Sequence, residues 1–395
     1  MVDDLRTRVR AELTARLAPR RTDAPVSVLG AGSDDLDAGR RYLGALAGTG
    51  LAIPMWPKEY GGLAASPEEA ATIRGELAAF DVPDLYPYLV GVDLVAPTLI
   101  THGTPEQCAR WLPKIATGEE IWCQLFSEPG AGSDLAGLAA RVTRDGDVWS
   151  VTGQKVWTSR GAYSRYGLLL ARHDTGVPKH RGISAFALDM RQSGVDVRPL
   201  RQMNGDAHFT EVFMDGARVP DADRIGEVGD GWRVALTCLS YERGAIGAGG
   251  SGGLLDVERL VALARARGLA SDPVVRDALA RLVIEARVMS YTARRARDTA
   301  NAGRPGPEGS GMKIRGAALF KSYTDVATRL LGADAIVDPH GEWQTLLLTA
   351  PSISIRGGTD EIQRNIVGER VLGLAEEPRV DRTLPFDQLP GSSAR

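Results

Sequence analysis

The hydrophobic period changes twice along this chain, and that change restricts it to a three-part architecture. Over residues 2–118 the pattern is helical. Leu5, Val9, Leu13 and Leu17 recur every four residues and put one apolar stripe on a first helix. Pro54, Pro57, Gly61, Gly62 and Pro83 break the helical pattern further along. Thr104-Pro105-Glu106-Gln107 reads as a helix start, with Thr104 as N-cap, Pro105 in the first position and Gln107 in the third. Between residues 121 and 225 the period shortens. Residues 142–151 read as strand, Asp-Gly turn, strand; 166–172, 183–188, 195–200 and 211–214 are further short strands, the last followed by a turn at Asp215-Gly216. Helical pattern returns from residue 231, with candidate helices over 232–241, 254–269, 274–299, 313–331 and 360–372. A Gly- and Pro-rich stretch, 301–311, joins two of them. The order is helical, β, helical, with a compact barrel or sandwich in the middle. The tail from 376 is polar and Pro-bearing, and is expected to be ordered only where it docks.

Composition excludes several classes. With 395 residues the chain supports two or three domains, and its net charge of -3 supplies no basic field for nucleic acid or anionic lipid. The pairs Arg20-Arg21 and Arg294-Arg295 read as solvated faces. No apolar run approaches the roughly 20 residues of a membrane span. The N-terminus has no charged-then-apolar leader, and Cys108, Cys123 and Cys238 are widely spaced with no CxxC pair. Both point to a cytoplasmic protein with reduced thiols. His102, His173, His180, His208 and His340 lack ligand spacing, so no metal site is expected.

Three short segments carry chemistry. In Ser127-Glu128-Pro129-Gly130-Ala131-Gly132-Ser133-Asp134, the glycines let backbone approach a planar ligand and Ser127 offers a hydroxyl. In Lys155-Val156-Trp157-Thr158-Ser159, an indole beside two hydroxyls can stack on an aromatic ring and hydrogen-bond to its edge. Alone, the first string is also a plain β-turn and Trp157 also a core residue; the argument lies in their conjunction and spacing. The third segment, Ser240-Tyr241-Glu242-Arg243, places an acid on a helix.

Together these strings resemble the acyl-CoA dehydrogenase family, and the resemblance runs nearly the whole length. It extends to Pro54-Met55-Trp56-Pro57-Lys58-Glu59-Tyr60-Gly61-Gly62, to residues 110–119, to Phe213-Met214-Asp215-Gly216-Ala217-Arg218-Val219-Pro220, and to Gly357-Gly358-Thr359-Asp360-Glu361-Ile362-Gln363-Arg364-Asn365. The resemblance implies an α+β fold: an N-terminal helical domain (1–120), a middle β-barrel domain (121–226), a C-terminal four-helix bundle (227–380) and a polar tail (381–395). It implies FAD as cofactor and α,β-dehydrogenation of an acyl thioester. A base takes the α-proton, FAD N5 accepts the β-hydride, and an electron-acceptor flavoprotein reoxidises the flavin.

The base is the point of choice. A carboxylate removes an α-proton only in a dry pocket, where desolvation raises its pKa and the thioester carbonyl is polarised. One branch of the family carries its Glu in a Tyr-Glu-Gly tripeptide of the C-terminal signature. Here that tripeptide is Arg356-Gly357-Gly358. The other branch carries Glu on a helix just before an Arg, which Glu242-Arg243 matches, so Glu242 is assigned as base. By the same resemblance Arg243 orients the base or the substrate. Phe126, Ser127, Trp157 and Ser159 line the flavin, Ser133 lies near the thioester arm, and Thr359 and Glu361 approach the rest of FAD.

Two departures bear on assembly. The family's Arg-x-x-Phe-Gly, which reaches a neighbour's FAD pyrophosphate, stands here as Arg267-Gly268-Leu269-Ala270-Ser271, keeping only the Arg. Its Gln-x-x-Gly-Gly-x-Gly stands as Arg329-Leu330-Leu331-Gly332-Ala333-Asp334-Ala335. A homo-oligomer is expected, with a hetero-oligomer as the alternative. The substrate carrier is CoA or an acyl carrier protein, and small residues over 244–253 suit a branched, cyclic or bulky acyl group. Two rival readings remain: a flavin monooxygenase or nitroalkane oxidase on the same fold, and a non-catalytic subunit that completes a neighbour's site.

Overall fold

The computed structural model describes residues 2–20, 34–247, 256–301, 308–337, 341–376 and 378–390. The N-terminal part is a helical layer of α1 (Val2–Thr14), α2 (Leu36–Leu46), α3 (Pro67–Leu77), α4 (Tyr86–Leu89), α5 (Ala96–His102) and α6 (Pro105–Ala116). The apolar stripe of α1 faces inward, with Val9 and Leu13 buried. Reciprocal capping boxes start α3 (Ser66 with Glu69) and α6 (Thr104 with Gln107), each with Pro in the first turn. Between α4 and α5 the backbone widens into a π-helical turn, Val90–Val95, which no sequence pattern indicated. Its Gly91, Val92, Leu94 and Val95 are buried. Asp93, within this turn, is exposed. Such widened turns concentrate at functional sites.

The middle part holds β1 (Trp122–Leu125), β2 (Arg141–Asp145), β3 (Val148–Ser159), β4 (Tyr166–Arg172), β5 (Ile183–Asp189), β6 (Val195–Leu200), β7 (Phe209–Pro220) and β8 (Arg224–Ile225). They form one sheet in the order β6-β7-β3-β2-β4-β5-β8, with β1 added parallel to β4. β2 meets β4 only at Arg141 opposite Arg172, so the sheet folds back on itself there. Trp149, Val151, Phe186, Leu188, Val212 and Met214 fill the barrel-like enclosure. The Asp-Gly hairpin is present, with Asp145 opposite Val148. The turn expected at Asp215-Gly216 is not a strand end. β7 runs on to Pro220, and Gly216 is the extra residue of a bulge between the pairs Asp215/Thr152 and Ala217/Val151. Its φ of 65° is one glycine adopts without strain, so the strand bends instead of stopping.

The C-terminal part contains α7 (Gly231–Gly247), α8 (Val257–Ala266), α9 (Pro273–Asn301), α10 (Glu308–Leu331), α11 (Asp334–Val337), α12 (Glu342–Ile353) and α13 (Asp360–Arg370). Leu260 of α8, Leu282 of α9, Phe320 and Tyr323 of α10 and Leu346 of α12 share one core, the four-helix unit. α12 was not among the expected helices, because Pro351 sits inside it and breaks the helical reading. α7 stays out of this core. Its Val234, Ala235 and Cys238 pack with the N-terminal layer and with Leu168, Leu170, Ala185 and Ala187 of β4 and β5. Its first residue lies against β5 so closely that a Cβ on Gly231 would stand 2.6 Å from the Ser184 carbonyl carbon.

The tail docks on the β part. Pro385 bridges to Pro178, the Phe386 N–H donates to the Val177 carbonyl at 2.9 Å, and Lys179 pairs with Asp381 at 2.7 Å. The Phe386 ring lies 3.6 Å from the Arg172 guanidinium carbon.

Among the described residues, no helix is long and apolar enough to cross a membrane, and no group of three or more His, Cys, Asp and Glu could hold a metal ion. All three cysteines are free and buried. Burial pushes the thiols of Cys123 and Cys238 up to about 12 and also raises that of Cys108. The thiolate is the reactive form. A thiol titration of the native protein at mildly alkaline pH is therefore expected to find none reacting within minutes, and all three after unfolding. One fast native thiol contradicts this packing.

Candidate active site

β3 supplies a platform through an irregularity. It pairs with β7 up to Lys155 opposite Val212, and pairing resumes only at Thr158 opposite Thr210. In the gap, the Val156 N–H turns to the Ser127 carbonyl at 2.9 Å. Trp157 adopts φ 60° with 55% of its surface exposed. A left-handed conformation at a bulky residue costs on the order of 1–3 kcal/mol and marks a functional constraint more often than a packing one. The indole is braced edge-on by Phe209, centroids 5.8 Å apart. A bulge of this kind re-aims a side chain. Here it lifts an aromatic face next to Val156, whose N–H is bound to the Ser127 carbonyl, and Phe126 is buried.

The neighbourhood fits a planar group. A Cβ on Gly130 or Gly132 would meet no protein atom within 4 Å, so nothing within the fold demands glycine at either position. Both face open space, which leaves room for a ligand to approach the backbone. Thr158 Oγ1 is buried without a hydrogen-bond partner. Ser159 is half-buried opposite Phe209, and Ser133 is exposed at the outer end of the loop.

β1 connects this platform to α7. Gln124 of β1 donates from Nε2 to Cys238 Sγ at 3.1 Å. Glu242 lies four residues further along α7, on the same face, half-buried. Its charge is felt at Cys238: burial raises that thiol, hydrogen bonds with Gln124 and Thr98 oppose the rise, and Glu242 adds to it. His102 Nε2 of α5 lies 2.8 Å from Thr237 Oγ1, a further tie on the same helix. Arg243 comes next in the helix, but its side chain lies outside the described ones, as do most of the small residues expected to widen the pocket over 244–253. Gly357 has φ 63°, a conformation a glutamate rarely adopts.

The other expected residues are placed apart from the platform. Thr359 caps α13, its Oγ1 accepting from the Ile362 N–H at 3.2 Å. Glu361 is exposed and pairs with Arg364 at 3.3 Å. Arg267 ends α8 and pairs with Asp334, not with any residue of the β-part site.

Sequence reasoning missed several buried charges here. Arg160, directly after the Trp157 segment, is buried in a left-handed conformation, pairs with Asp34 at 2.8 Å and lies 4.9 Å from the Tyr86 ring centre. Burial holds the Arg356 guanidinium below its ordinary range, with Tyr86 opposing. Tyr86 thus stands where the three parts of the chain meet. Lys155 and Glu128, both inside the quoted motifs, form a buried pair. A charged residue within a strand was the available signal for Lys155. Two hollows lie elsewhere, of about 450 Å³ between α2 and α6 and about 500 Å³ between α1 and α3; Glu59, Tyr60 and Gly61 line the first and Lys58 the second, and neither is lined by the Ser127, Trp157 or Glu242 segments.

The chain matches the family descriptions "Acyl-CoA dehydrogenase, N-terminal domain" over residues 3–119, "middle domain" over 123–217 and "C-terminal domain" over 229–372. The chain belongs to the acyl-CoA dehydrogenase family. It is 39% identical over 386 residues to the acyl-CoA dehydrogenase IpdE1 of Mycobacterium tuberculosis, covering 96% of this chain and 99% of that one. Among solved structures, a protein described as the Tcur3481-Tcur3483 steroid ACAD superposes with a TM-score of 0.78 at 28% identity, covering 95% of this chain and 98% of the other. The ChsE4-ChsE5 complex from Mycobacterium tuberculosis superposes at 0.74 with 29% identity, covering 95% and 98%. Acyl-CoA dehydrogenases are flavin-dependent, and the Trp157 platform, the open loop of Gly130 and Gly132 and the Ser127 hydroxyl are of the right chemistry to hold a flavin ring.

Proposed function

We propose that this chain is an FAD-dependent dehydrogenase that forms an α,β double bond in an acyl thioester. The observation that carries the reading is the exposed, left-handed Trp157 beside Ser127, linked through Gln124 and Cys238 to the helix of Glu242. When bound, FAD supplies the acceptor for the β-hydride. The residues of the chain do the rest. Trp157 and Phe126 bound the ring, Ser127 and Ser159 offer hydroxyls to its edge, and Glu242 takes the α-proton from the thioester. Half-burial of Glu242 limits water around the carboxylate, which a base acting on a weakly acidic carbon requires. In this reading Thr359 and Glu361, at the start of α13, meet the far end of FAD, and Arg267 reaches a neighbouring subunit.

For the acyl group we favour a bulky, ring-bearing one. The support is the likeness to a protein described as a steroid ACAD and the run of small residues after Glu242. The same likeness, with the ChsE4-ChsE5 complex, supports a hetero-oligomer as the working assembly. The localisation we propose is cytoplasmic, from the reduced, buried cysteines.

The test is an anaerobic titration of the purified chain with straight-chain, cyclic and steroid-bearing CoA thioesters, following the visible flavin band. Bleaching by the bulky thioesters is the expected result. Bleaching by short straight chains alone sinks the acyl assignment, and a flavin reduced only by NADH, with oxygen-dependent product, sinks the dehydrogenase. A colourless chain that turns yellow with a second subunit supports the hetero-oligomer.

A further inference from the structure

We propose that Lys155 and Glu128 act as a buried positioning clamp for the flavin-facing backbone, an inference that rests on the FAD reading above. Lys155 is fully buried in β3 and Glu128 nearly so in the loop after β1. Lys155 Nζ donates to Glu128 Oε1 at 2.7 Å and to the Phe126 carbonyl at 3.0 Å. The same carboxylate accepts the N–H groups of Ala139 at 2.6 Å and Ala140 at 2.9 Å. Glu128 also closes a tight turn with Ala131, its N–H donating at 3.1 Å and its carbonyl accepting at 3.0 Å.

One ion pair therefore grips three backbone groups, the Phe126 carbonyl and the Ala139 and Ala140 N–H groups. Phe126 and Glu128 flank Ser127. Ala139 and Ala140 end the loop that carries Gly130 and Gly132. Lys155 stands two residues before Trp157, at the last paired position before the strand loses register. Apolar residues would fill the same volume, and a buried pair rarely stabilises a fold more than such a replacement does. Apolar residues, however, cannot satisfy a carbonyl and two N–H groups at once. Burial holds the Lys155 ammonium down, with Glu128 opposing, so the pair is kept against a desolvation cost. The gain is a fixed relation between the Ser127 segment and the Trp157 platform, which only a bound ring senses.

The test is the double variant Lys155→Met/Glu128→Gln, similar in shape and without the charges, assayed as holoenzyme. FAD dissociation is read from the fluorescence of released flavin, and ring geometry from visible circular dichroism. The FAD Kd is expected to rise about tenfold or more, as loss of charge-assisted hydrogen bonds implies, with an altered visible dichroism. Val151→Ala, in the same core, is the control for simple loss of stability. Wild-type Kd and dichroism in the double variant overturn the proposal. So does an equal rise in Kd in the control at the same urea midpoint. If the double variant does not fold, Glu128→Gln alone carries the same comparison. A wild-type chain that does not bind FAD, alone or with a second subunit, is a failure of the reading under Proposed function, not of the clamp.

Discussion

Glu242→Gln is expected to give a protein that keeps its flavin and binds acyl-CoA, yet reduces the flavin about 10³–10⁴-fold more slowly, the range a positioned general base contributes. The substitution preserves shape and hydrogen-bonding capacity, so the packing of α7 through Val234, Ala235 and Cys238 should be unaffected. What is removed is the only feature the α-proton needs from that side chain, its negative charge. With α7 pressed between β5 and the N-terminal layer, bulk water is a poor substitute base. Anaerobic stopped-flow reduction with a thioester that bleaches the wild type measures the effect directly. A rate within tenfold of wild type would mean that another group takes the proton.

Arg172→Met is expected to be the most destabilising single change in the β part. The Arg172 side chain is buried, and its three nitrogens donate to three carbonyls: Nε to Leu138 at 3.0 Å, Nη1 to Lys179 at 2.9 Å and Nη2 to Ala136 at 2.7 Å. Methionine fills similar space but leaves those carbonyls buried without donors, at about 1–3 kcal/mol each before relaxation. It also removes the cation packed on Phe386. The expected loss is about 3–5 kcal/mol, a large share of the roughly 5–15 kcal/mol that holds a domain together. Arg172→Lys should lose nearly as much, because an ammonium is a point donor and cannot span three carbonyls in the guanidinium plane. Urea unfolding, followed by far-UV dichroism and by flavin release, checks both. A loss under about 1 kcal/mol would show that water or a local shift satisfies the loop.

Periodicity and capping were legible in the sequence because they are local. The Thr104-Pro105-Glu106-Gln107 string encodes the start of α6, and the Asp145-Gly146 turn encodes a hairpin, each within a few residues. The Trp157 segment drew notice in the sequence by its chemistry, but its left-handed backbone was not legible there. That conformation depends on where β7 stops pairing with β3, a long-range fact. Gly216 misled for the opposite reason: an Asp-Gly pair marks a hairpin turn and a bulge equally well, and only the partner strand decides between them. The Lys155–Glu128 pair, the three carbonyls around Arg172 and the meeting of Arg160 with Tyr86 all join residues far apart in the chain. Burial of charge at such places comes from tertiary packing and has no periodic signature. The π-helical turn at Val90–Val95 likewise departs from the helical period, and its one glycine, Gly91, does not by itself distinguish a widened turn from an ordinary helix.

The docking of the tail sets an order on how this protein is made. Arg172 leaves the ribosome 214 residues before Phe386, the ring that covers it. At about 5–20 residues per second, that interval lasts about 10–40 s. Throughout it, the loop that bears Gly130 and Gly132 hangs from a guanidinium open on one face, and Lys179 has yet to meet Asp381. The nascent chain can close its barrel early, but the cover over Arg172 is finished last. A chain cut short before residue 386 leaves that guanidinium without its ring.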